Sequence, residues 1–541
     1  MKKPVLIAVI MLLLSMHPIS GMMQTTQKTI YVDDDNINGP WDGSMEHPYQ
    51  YIQDGIDAGM DGDMILVSNG IYREMLLISK SIIILGIDPQ TTIIDGMNEG
   101  IAVSIFSNEV IIFGFTITNT SYPPYAVYPG IMLEDVNNCT IGQTIISDTG
   151  GITLMNTSDI FIASNTLHHN RGGIILSESS VGVGILGNMI HNNSYGIDMM
   201  DASNTMIKEN TIQDNGAGIS CSGSSENTIR SNDIRDNDIG IDLYSAGNRI
   251  MDNTFTNNRL GGVGIFTSDA YLSGNVFSAN GIVLWGSTLE EWNSHTIEHN
   301  VVNGKPICYY KNMNGFTVPS NSGQVIIAHC SDATIQNCIL SEVSAGIQIG
   351  FSEEMTISEN ILRDNTCGAI MLTESSAISI ADNRITNSFY GISLSAASDI
   401  LIGCNFITDA DGQGISLYSS SMNIIHNNAL DNNEYGIFLA YSSENILDGN
   451  TITNHSQYGI ILEDAHKNLI VANNLISNSI HATFIEARKN EWRSNYWDDW
   501  PFVLPRLIKG EKLLSFPPYF ILWFNIDWHP ATHPYVTEFY L

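Results

Sequence analysis

The chain has 541 residues, with 22 basic and 57 acidic side chains and a net charge of −35 at pH 7. This charge argues against nucleic acid and anionic membranes as partners, because phosphate groups repel an acidic surface. Cationic partners and divalent ions remain open as ligands.

Residues 1–21 are typical of a secretory signal peptide. Two lysines precede an apolar run from Val5 to Leu14, which matches the basic and apolar regions of such signals. The run is shorter than the about 20 residues needed to cross a bilayer. We expect cleavage near Ser20 or Gly21, with an uncleaved anchor as the alternative, and a secreted or cell-surface location in a periplasm-like space. No later segment predicts a transmembrane helix.

Residues 22–70 are predicted to cap the N-terminal end of the fold. Apolar residues between Tyr49 and Ala58 have the spacing of one short amphipathic helix. An open stack of strands needs such a cap, because its ends expose apolar side chains and unpaired backbone. Before the helix, Asp33, Asp34 and Asp35 with Asp42 form a possible calcium site, or a solvated turn.

The dipeptide Gly-Ile, once as Gly-Ala-Ile, recurs about every 22 residues through the middle of the chain. Its glycines are Gly130, Gly151, Gly173, Gly196, Gly218, Gly240 and Gly264, then Gly346, Gly368, Gly391, Gly414, Gly436 and Gly459. Within each repeat, apolar residues alternate in short runs, which is the period of a half-buried strand. A β-propeller blade needs about 40 residues. The period therefore predicts an all-β, right-handed parallel β-helix, a solenoid, over residues 71–490.

An asparagine follows the same period. It recurs at Asn165, Asn188, Asn210, Asn232, Asn253 and Asn275, and again at Asn337, Asn360, Asn383, Asn405, Asn428, Asn450 and Asn473. At a fixed corner, the side-chain amide can bond the equivalent asparagine one coil away. We therefore predict an asparagine ladder that holds the coils in register.

Two segments depart from the repeat. Residues 303–324 are rich in proline and glycine, which predicts a protruding loop or small hairpin. Residues 491–541 are rich in aromatic side chains and proline, which predicts a C-terminal cap over the last coil, with an aromatic ligand platform as the alternative.

The chain resembles the NosD-like proteins of the pectin-lyase-like superfamily. The resemblance covers nearly the whole chain after the signal and rests on the two ladders, on Ile30 to Asn36, Gly39 to Gly43, Ile52 to Ala58 with Gly62-Asp63, Asn303 to Pro306, and Trp528 to Pro530. It implies a pectin-lyase-like β-helix and carbohydrate-binding or sugar-hydrolysis modules. It also implies a link to periplasmic copper handling, and the enzymes of the superfamily are polysaccharide lyases, hydrolases, epimerases and esterases. The catalytic motifs of those enzymes are missing here.

For an enzyme, the candidate residues are Asp198 and Asp242. Both take the outward position after Gly-Ile, which would place them two coils apart, at about 9.6 Å by strand spacing. That separation is near the upper limit for an inverting carboxylate pair. No lysine or arginine shares their column, so a solvated acidic face is the competing interpretation.

For a metal, the candidate residues are His168, His169, His191 and Asp214. His168 and His191 each follow a ladder asparagine by three residues, so they should project from adjacent coils about 5 Å apart. Stacked imidazoles of this kind can share copper or zinc. Histidines at variable surface positions of the repeat are the competing interpretation, and the one the pattern favours.

For a polysaccharide, the candidate residues are Tyr195, Tyr390, Tyr435 and Tyr458, each of which precedes a repeat glycine. Aromatic rings suit the apolar faces of sugars, although tyrosine is also common on sheet surfaces. The sequence thus favours a secreted or surface protein that binds polysaccharide or cell-surface glycan, or has a structural role. A carbohydrate-active lyase or hydrolase and a copper-binding protein are the alternatives.

Overall fold

The computed structural model describes residues 28–122, 126–500, 502, 504–515 and 518–536, so the proposed signal peptide lies outside it. The chain divides into two compact units, Met1–Met206 and Ile207–Leu541. In each unit, successive coils contribute strands to three parallel sheets. The prediction of an all-β parallel β-helix is confirmed. No helix among the described residues is long and apolar enough to cross a membrane.

In the first unit, each sheet gains about one strand per coil. The first sheet contains Thr29–Val32, Met64–Val67, Ile83–Gly86, Ile111–Phe113, Thr140–Gly142, Phe161–Ala163 and Gly184–Leu186. The second contains Gly70–Tyr72, Thr92–Asp95, Thr116–Thr118, Ile145–Ser147, Thr166–His168 and Met189–His191. The third contains Leu76–Ile78, Val103–Ile105, Ile131–Glu134, Ile152–Met155, Gly172–Ser177 and Tyr195–Met200. A short hairpin pairs Ser121–Tyr122 with Ala126–Val127.

The N-terminal helix spans Ile52–Ala58, as predicted. It buries Ile52, Gly55 and Ile56 against the first strands of the stack. The Lys80 ammonium donates hydrogen bonds to the carbonyl oxygens of Ile56, Asp57 and Gly59 at 2.8–3.1 Å. A cation at this end satisfies carbonyl groups that the helix leaves unpaired.

The second unit contains two stacks of coils. Met206–Lys208 lies at the boundary between the units. The sheets of the first stack are Thr228–Arg230, Arg249–Met251, Tyr271–Ser273 and Thr296–Glu298; Thr211–Gln213, Asp233–Arg235, Thr254–Thr256, Val276–Ser278 and Val301–Val302; and Ala217–Ser222, Ile239–Leu243, Gly261–Ile265 and Ile282–Leu284. The helix Glu290–Asn293 follows the third of these sheets.

The second stack follows the segment 303–324. Its sheets are Asn314–Thr317, Ser331–Gln336, Thr356–Ser358, Ser379–Ala381, Leu401–Gly403, Ile424–His426, Ile446–Asp448, Leu469–Val471 and Glu491–Arg493; Ile339–Ser341, Ile361–Arg363, Arg384–Thr386, Phe406–Thr408, Ala429–Asp431, Thr451–Thr453, Asn474–Ile476 and Tyr496–Trp497; and Lys305–Lys311, Gln324–Ala328, Ala345–Gly350, Gly368–Thr373, Ile392–Ser395, Gln413–Tyr418, Tyr435–Ala440, Tyr458–Glu463 and Ile480–Ile485. The strands Arg506–Ser515 and Pro518–Asp527 form a terminal antiparallel hairpin.

The chain reverses between the two stacks. Val301–Val302 pairs antiparallel with Lys305 and Pro306, and Ile307–Lys311 then pairs in parallel with Gln324–Ala328. The Asn303 amide and the Lys305 ammonium donate to the carbonyl oxygens of Ser341, Glu342 and Ile339, which lie at the free edge of a new sheet. The segment 303–324 therefore both turns the chain and starts the second stack.

The end of the first stack lies against the side of the second. Two buried glutamines of the second stack bond the backbone of Ile282–Leu284, the last strand of the first stack's third sheet. The amide oxygen of Gln324 accepts from the N–H of Ile282 at 3.0 Å, and the amide oxygen of Gln348 accepts from the N–H of Leu284 at 2.9 Å. Because an unpaired strand edge tends to recruit further strands, these side chains close the stack.

The glycine ladder exists because successive coils approach closely. A Cβ atom on Gly173 would lie 2.4 Å from the carbonyl oxygen of Gly196. On Gly218 the distance to Gly240 would be 2.5 Å, and on Gly240 the distance to Gly262 would be 2.3 Å. No side chain fits at such distances, so the ladder is steric in origin. The placement of Gly368 on the ladder is wrong by one residue, since Ile347 pairs with Ile370 and Ala369 holds the ladder position in that coil.

The asparagine ladder is buried and continuous over long runs. The Asn405 amide nitrogen donates to the Asn428 oxygen at 3.0 Å, and Asn428 donates to Asn450 at 2.9 Å. These amide-to-amide bonds are as predicted. Each amide oxygen also accepts a backbone N–H of the coil before it. The placement of Asn337 on the ladder is wrong by one residue, since the N–H of Cys338 donates to the Asn360 oxygen. Histidine takes the amide's place at His295 and His455, where Nδ1 accepts that N–H. After Asn495, the buried Asp527 carboxylate ends the ladder.

Candidate functional site

Asp242 lies on the outward face of the third sheet of the first stack. Its strand pairs with those on either side so that Ser220, Asp242, Gly264 and Val283 form one column. A Cβ atom on Gly264 would lie 3.1 Å from Asp242 Oδ1 and 3.3 Å from a ring carbon of Phe266. The absence of a side chain at Gly264 therefore makes room for the carboxyl group.

The Asp242 carboxyl group stands in an apolar environment. Its Oδ1 atom is buried without a hydrogen-bond partner among the described residues. Burial raises its pKa to about 6, and no charged side chain of the described residues contributes to this shift. The Asp242 residue as a whole is partly exposed.

A column of aromatic rings runs beside Asp242 on the same face. The Tyr244 and Phe266 rings stack at 4.6 Å between centroids, and the Phe266 and Trp285 rings stack at 6.1 Å. Tyr244 is 51% exposed and Trp285 is 43% exposed. We call these three residues the aromatic column. Aligned, exposed rings form a platform for the apolar face of a ligand.

Sequence reasoning missed this column because of a shift in the repeat. The repeat spacing predicts Gly264 on the glycine ladder. In the structure Ile241 pairs with Val263, so Gly240 aligns with Gly262, and Gly262 is the ladder residue. The placement of Gly264 is therefore wrong by two residues. Counting the aromatic residues from Gly262 would have aligned Phe266 with Tyr244.

The four predicted tyrosines do not form one surface. Tyr435 and Tyr458 stack at 5.8 Å. Tyr390 contacts Phe389 edge to face, and the coil between Tyr390 and Tyr435 carries Gln413. Tyr195 is 45% exposed and belongs to the first unit. The second unit therefore offers a two-ring stack at the predicted positions and a three-ring stack at the aromatic column.

The predicted histidines come together in the first unit. The His168 and His191 rings stack at 5.2 Å, and His168 Nδ1 lies 2.8 Å from His169 Nδ1. Burial and the two neighbouring imidazoles lower the pKa of His168. Two ligands at about 2.0–2.1 Å from one ion lie at about this separation when they are adjacent in its coordination shell. In the absence of an ion, this 2.8 Å contact is a hydrogen bond between the two imidazoles.

The other predicted ligands and acids lie elsewhere. Asp214 belongs to the second unit, where it accepts a hydrogen bond from the Gln213 amide at 3.0 Å. Asp198 lies in the first unit, beside Ile175, whereas Asp242 lies in the second. The carboxylates of Asp33 and Asp42 accept backbone N–H groups of their own turns.

One group of three converging donors occurs among the described residues: His481, Asp498 and Asp499. His481 Nε2 lies 2.8 Å from an Asp498 oxygen, and the Asn478 amide faces His481 Nδ1 at 3.2 Å. Asn478 Oδ1 accepts a ladder N–H from His455, so its NH₂ group must point to Nδ1. The proton of a neutral His481 therefore resides on Nε2, and this nitrogen has no lone pair for a metal.

Comparison with known proteins identifies a family. The family model "Periplasmic copper-binding protein (NosD)" matches residues 86–262, 263–432 and 369–500. No curated protein sequence matches the chain.

Solved structures are similar to the chain at low identity. One is DFA-IIIase from Arthrobacter chlorophenolicus A6, with 15% identity over 56% of this chain and 93% of that chain and a TM-score of 0.39. Another is pectate lyase Pel9A, with 14% identity over 52% and 82% and a TM-score of 0.35. The Dettilon tailspike protein has 16% identity over 60% and 66% and a TM-score of 0.37.

Proposed function

Since this chain belongs to the NosD family, whose model matches most of it, we propose that it is a secreted β-helix protein that binds a neutral polysaccharide without cleaving it. The aromatic column beside Asp242 carries this proposal. Sugar rings present an apolar face bordered by hydroxyl groups, and the column offers stacked rings with one adjacent acceptor.

Charge favours a neutral polymer over an acidic one. The chain carries a net charge of −35, so the approach of a uronic acid polymer is opposed by long-range repulsion. A hydroxyl group of a neutral sugar can donate to a partly exposed carboxylate such as Asp242, whereas a second carboxylate there adds local repulsion.

Binding is favoured over hydrolysis because Asp242 stands alone. Glycoside hydrolysis uses two carboxyl groups that flank one bond. Burial is the one cause of the raised pKa of Asp242, with no acidic neighbour among the described residues contributing. A single carboxyl group suits recognition of a hydroxyl group.

We expect Trp285→Ala and Tyr244→Ala each to weaken polysaccharide binding about tenfold, because a stacked ring contributes about 1 kcal/mol beyond its buried area. Affinity electrophoresis against a panel of neutral and acidic polysaccharides measures the effect. Tyr418→Ala and Tyr441→Ala are matched controls, since these tyrosines are 52% and 57% exposed in an edge-to-face pair elsewhere in the unit. Equal retardation of all four variants would rule out the aromatic column, and release of sugar products would rule out the non-catalytic assignment.

Copper binding in the first unit is a second candidate function. It is supported by the 2.8 Å separation between the Nδ1 atoms of His168 and His169 together with the family description. His168 and His169 would hold the ion, and His191 stacks on His168. Bound copper would supply a redox-active centre.

We expect His168→Ala/His169→Ala to weaken binding of Cu²⁺ at least tenfold, because both converging nitrogens are lost. Isothermal titration of Cu²⁺ into the wild type and the variant measures this. His466→Ala is the control, since His466 is a surface imidazole paired with Asp464 at 3.2 Å in the other unit. Overlaying curves for the wild type and the double variant would dismiss this candidate.

A further inference from the structure

The two stacks of the second unit meet through the outward faces of their third sheets. On the first stack, Val283 lies in the same outward column as Asp242, yet it is only 1% exposed. On the second stack, Gln348 alternates with core residues and therefore points outward, but it is fully buried, and its amide bonds the backbone of Ile282 and Leu284 at 2.8–2.9 Å. Outward side chains are buried this completely only when another face covers them. Val283 and Gln348 therefore mark the line along which the two faces meet.

A second contact joins the stacks at the side where the strands of these sheets begin. The Cys367 thiol donates a hydrogen bond to the Leu260 carbonyl oxygen at 2.8 Å, and a Cβ atom on Gly261 would lie 3.3 Å from Ser344 Oγ. All four residues stand at or just before the first residue of a third-sheet strand. The contact lies one coil before Val283 on the first stack and toward later coils on the second, so the stacks run side by side in opposite directions. The space between the two faces is closed at this side.

Away from the line of contact, the two faces become accessible again. Asp242 lies two coils before Val283 on the first stack, and Met371 and Ser393 lie one and two coils after Gln348 on the second. All three are partly exposed. Exposure that returns with distance from a contact means that the two faces diverge. They form the walls of a groove with Val283 and Gln348 at its base, which we call the inter-stack groove.

The walls of the inter-stack groove carry the kinds of group that contact a sugar chain. The Asp242 carboxyl group stands on one wall, and the aromatic column stands two residues further along the same segments, at the side that the Leu260 contact leaves open. The Met371 thioether and the Ser393 hydroxyl group stand on the facing wall. A sugar ring has apolar C–H groups on its faces and hydroxyl groups around its edge, so an apolar and a polar group on each wall suit it.

We propose that the inter-stack groove holds a single polysaccharide chain, with Met371 and Ser393 contacting the side of that chain opposite Asp242. This inference rests on the proposed function and specifies the form of its ligand. Facing sheets lie about 10 Å apart where they pack, and the walls diverge from there. One polymer chain enters such a space, whereas the flat surface of a crystalline polymer does not reach Asp242.

Blocking the groove tests the proposal. Ser393→Trp should weaken binding at least tenfold in affinity electrophoresis through gels that contain soluble glucomannan, xylan or dextran, because the indole ring occupies the space of the polymer chain. Ser379→Trp is the matched control and should bind as the wild type does, since Ser379 is a partly exposed serine on the first sheet of the same stack. The wild type should not sediment with crystalline cellulose.

Thiol labelling gives a second measurement with smaller substitutions. Ser393→Cys should react with iodoacetamide at least tenfold more slowly in the presence of whichever of these soluble polymers retards the wild type most. Ser379→Cys should react equally fast with and without that polymer. Mass spectrometry of peptides measures both rates, and circular dichroism of each variant checks the fold.

The outcomes separate this inference from the proposed function. If Trp285→Ala weakens binding while Ser393→Trp and Ser379→Trp bind equally well, and the polymer does not slow labelling of Ser393→Cys, the aromatic column binds the polymer outside the groove and the inference is overturned. Sedimentation of the wild type with crystalline cellulose would overturn the single-chain form of the ligand. If none of the polymers retards the wild type, the proposed function and this inference both fail.

Discussion

Adding one methyl group at Gly391 should destabilise the second unit by about 2–3 kcal/mol. A Cβ atom on Gly391 would lie 2.3 Å from the carbonyl oxygen of Gly414 and 2.6 Å from Ile407 Cγ2. Both contacts are far inside van der Waals separation. The oxygen belongs to the backbone of the next coil, which is held by hydrogen bonds on both sides, so it cannot move without disturbing several coils.

Urea unfolding of Gly391→Ala, followed by circular dichroism, measures this effect, and amide exchange should show that protection is lost most in the coils on either side. Gly100→Ala is the control. Its Cβ atom would meet only the end of the flexible Met75 side chain, at 3.0 Å. The free energy of unfolding of Gly100→Ala should therefore stay within about 0.5 kcal/mol of the wild-type value. Equal stability of the two variants would mean that steric exclusion does not explain the glycine ladder.

The two ladders explain why the fold was predictable. Most repeats carry a glycine at the point of close approach between coils and an asparagine that bonds its equivalents above and below. Both requirements recur once per coil, so they leave a period in the sequence. The contacts that stabilise each coil therefore also produce the sequence repeat from which the coil is predicted.

The arrangement of the stacks leaves no such period. The reversal at Asn303 and Gly304 depends on one hairpin, and the contact between the stacks depends on Gln324 and Gln348, which bond the backbone of a distant strand. Each contact occurs once. A repeat pattern describes how a coil follows the coil before it, and it contains nothing about where a stack ends.

The candidate sites were predictable to the extent that the repeat frame was correct. His168 and His191 were placed correctly on adjacent coils, because the asparagine ladder is regular there. The aromatic column was missed, because Gly262-Val263 replaces Gly-Ile and the next Gly-Ile lies two residues later. An error of two residues keeps a side chain on the same face of a strand but moves it to another column.

Histidine within the asparagine ladder should make the second unit sensitive to acid. The Nδ1 atom of His455 accepts the N–H of Asn433 at 3.1 Å, and its Nε2 atom is buried without a partner among the described residues. Burial lowers the pKa of His455 to about 4, from 6.5. A charged imidazole at this place would lose an accepted hydrogen bond and gain no solvation.

The sign of the effect follows from linkage. Between pH 6.5 and pH 4, the unfolded chain binds a proton at residue 455 and the folded chain does not, so acid favours unfolding. The stability lost over this range is about 3 kcal/mol, at about 1.4 kcal/mol for each unit of pKa difference. Above pH 6.5 the imidazole is neutral in both states, and this contribution is constant.

His455→Asn should abolish this part of the acid sensitivity. An asparagine at 455 can accept the Asn433 N–H and donate to the Asn478 oxygen, as its equivalents do along the ladder. Urea unfolding at pH 7 and at pH 4.5 should show a smaller loss of stability for the variant by about 2–3 kcal/mol. His299→Asn, at an exposed imidazole, should retain the loss of the wild type. If His455→Asn and His299→Asn lost stability equally on acidification, the buried imidazole would not be its source.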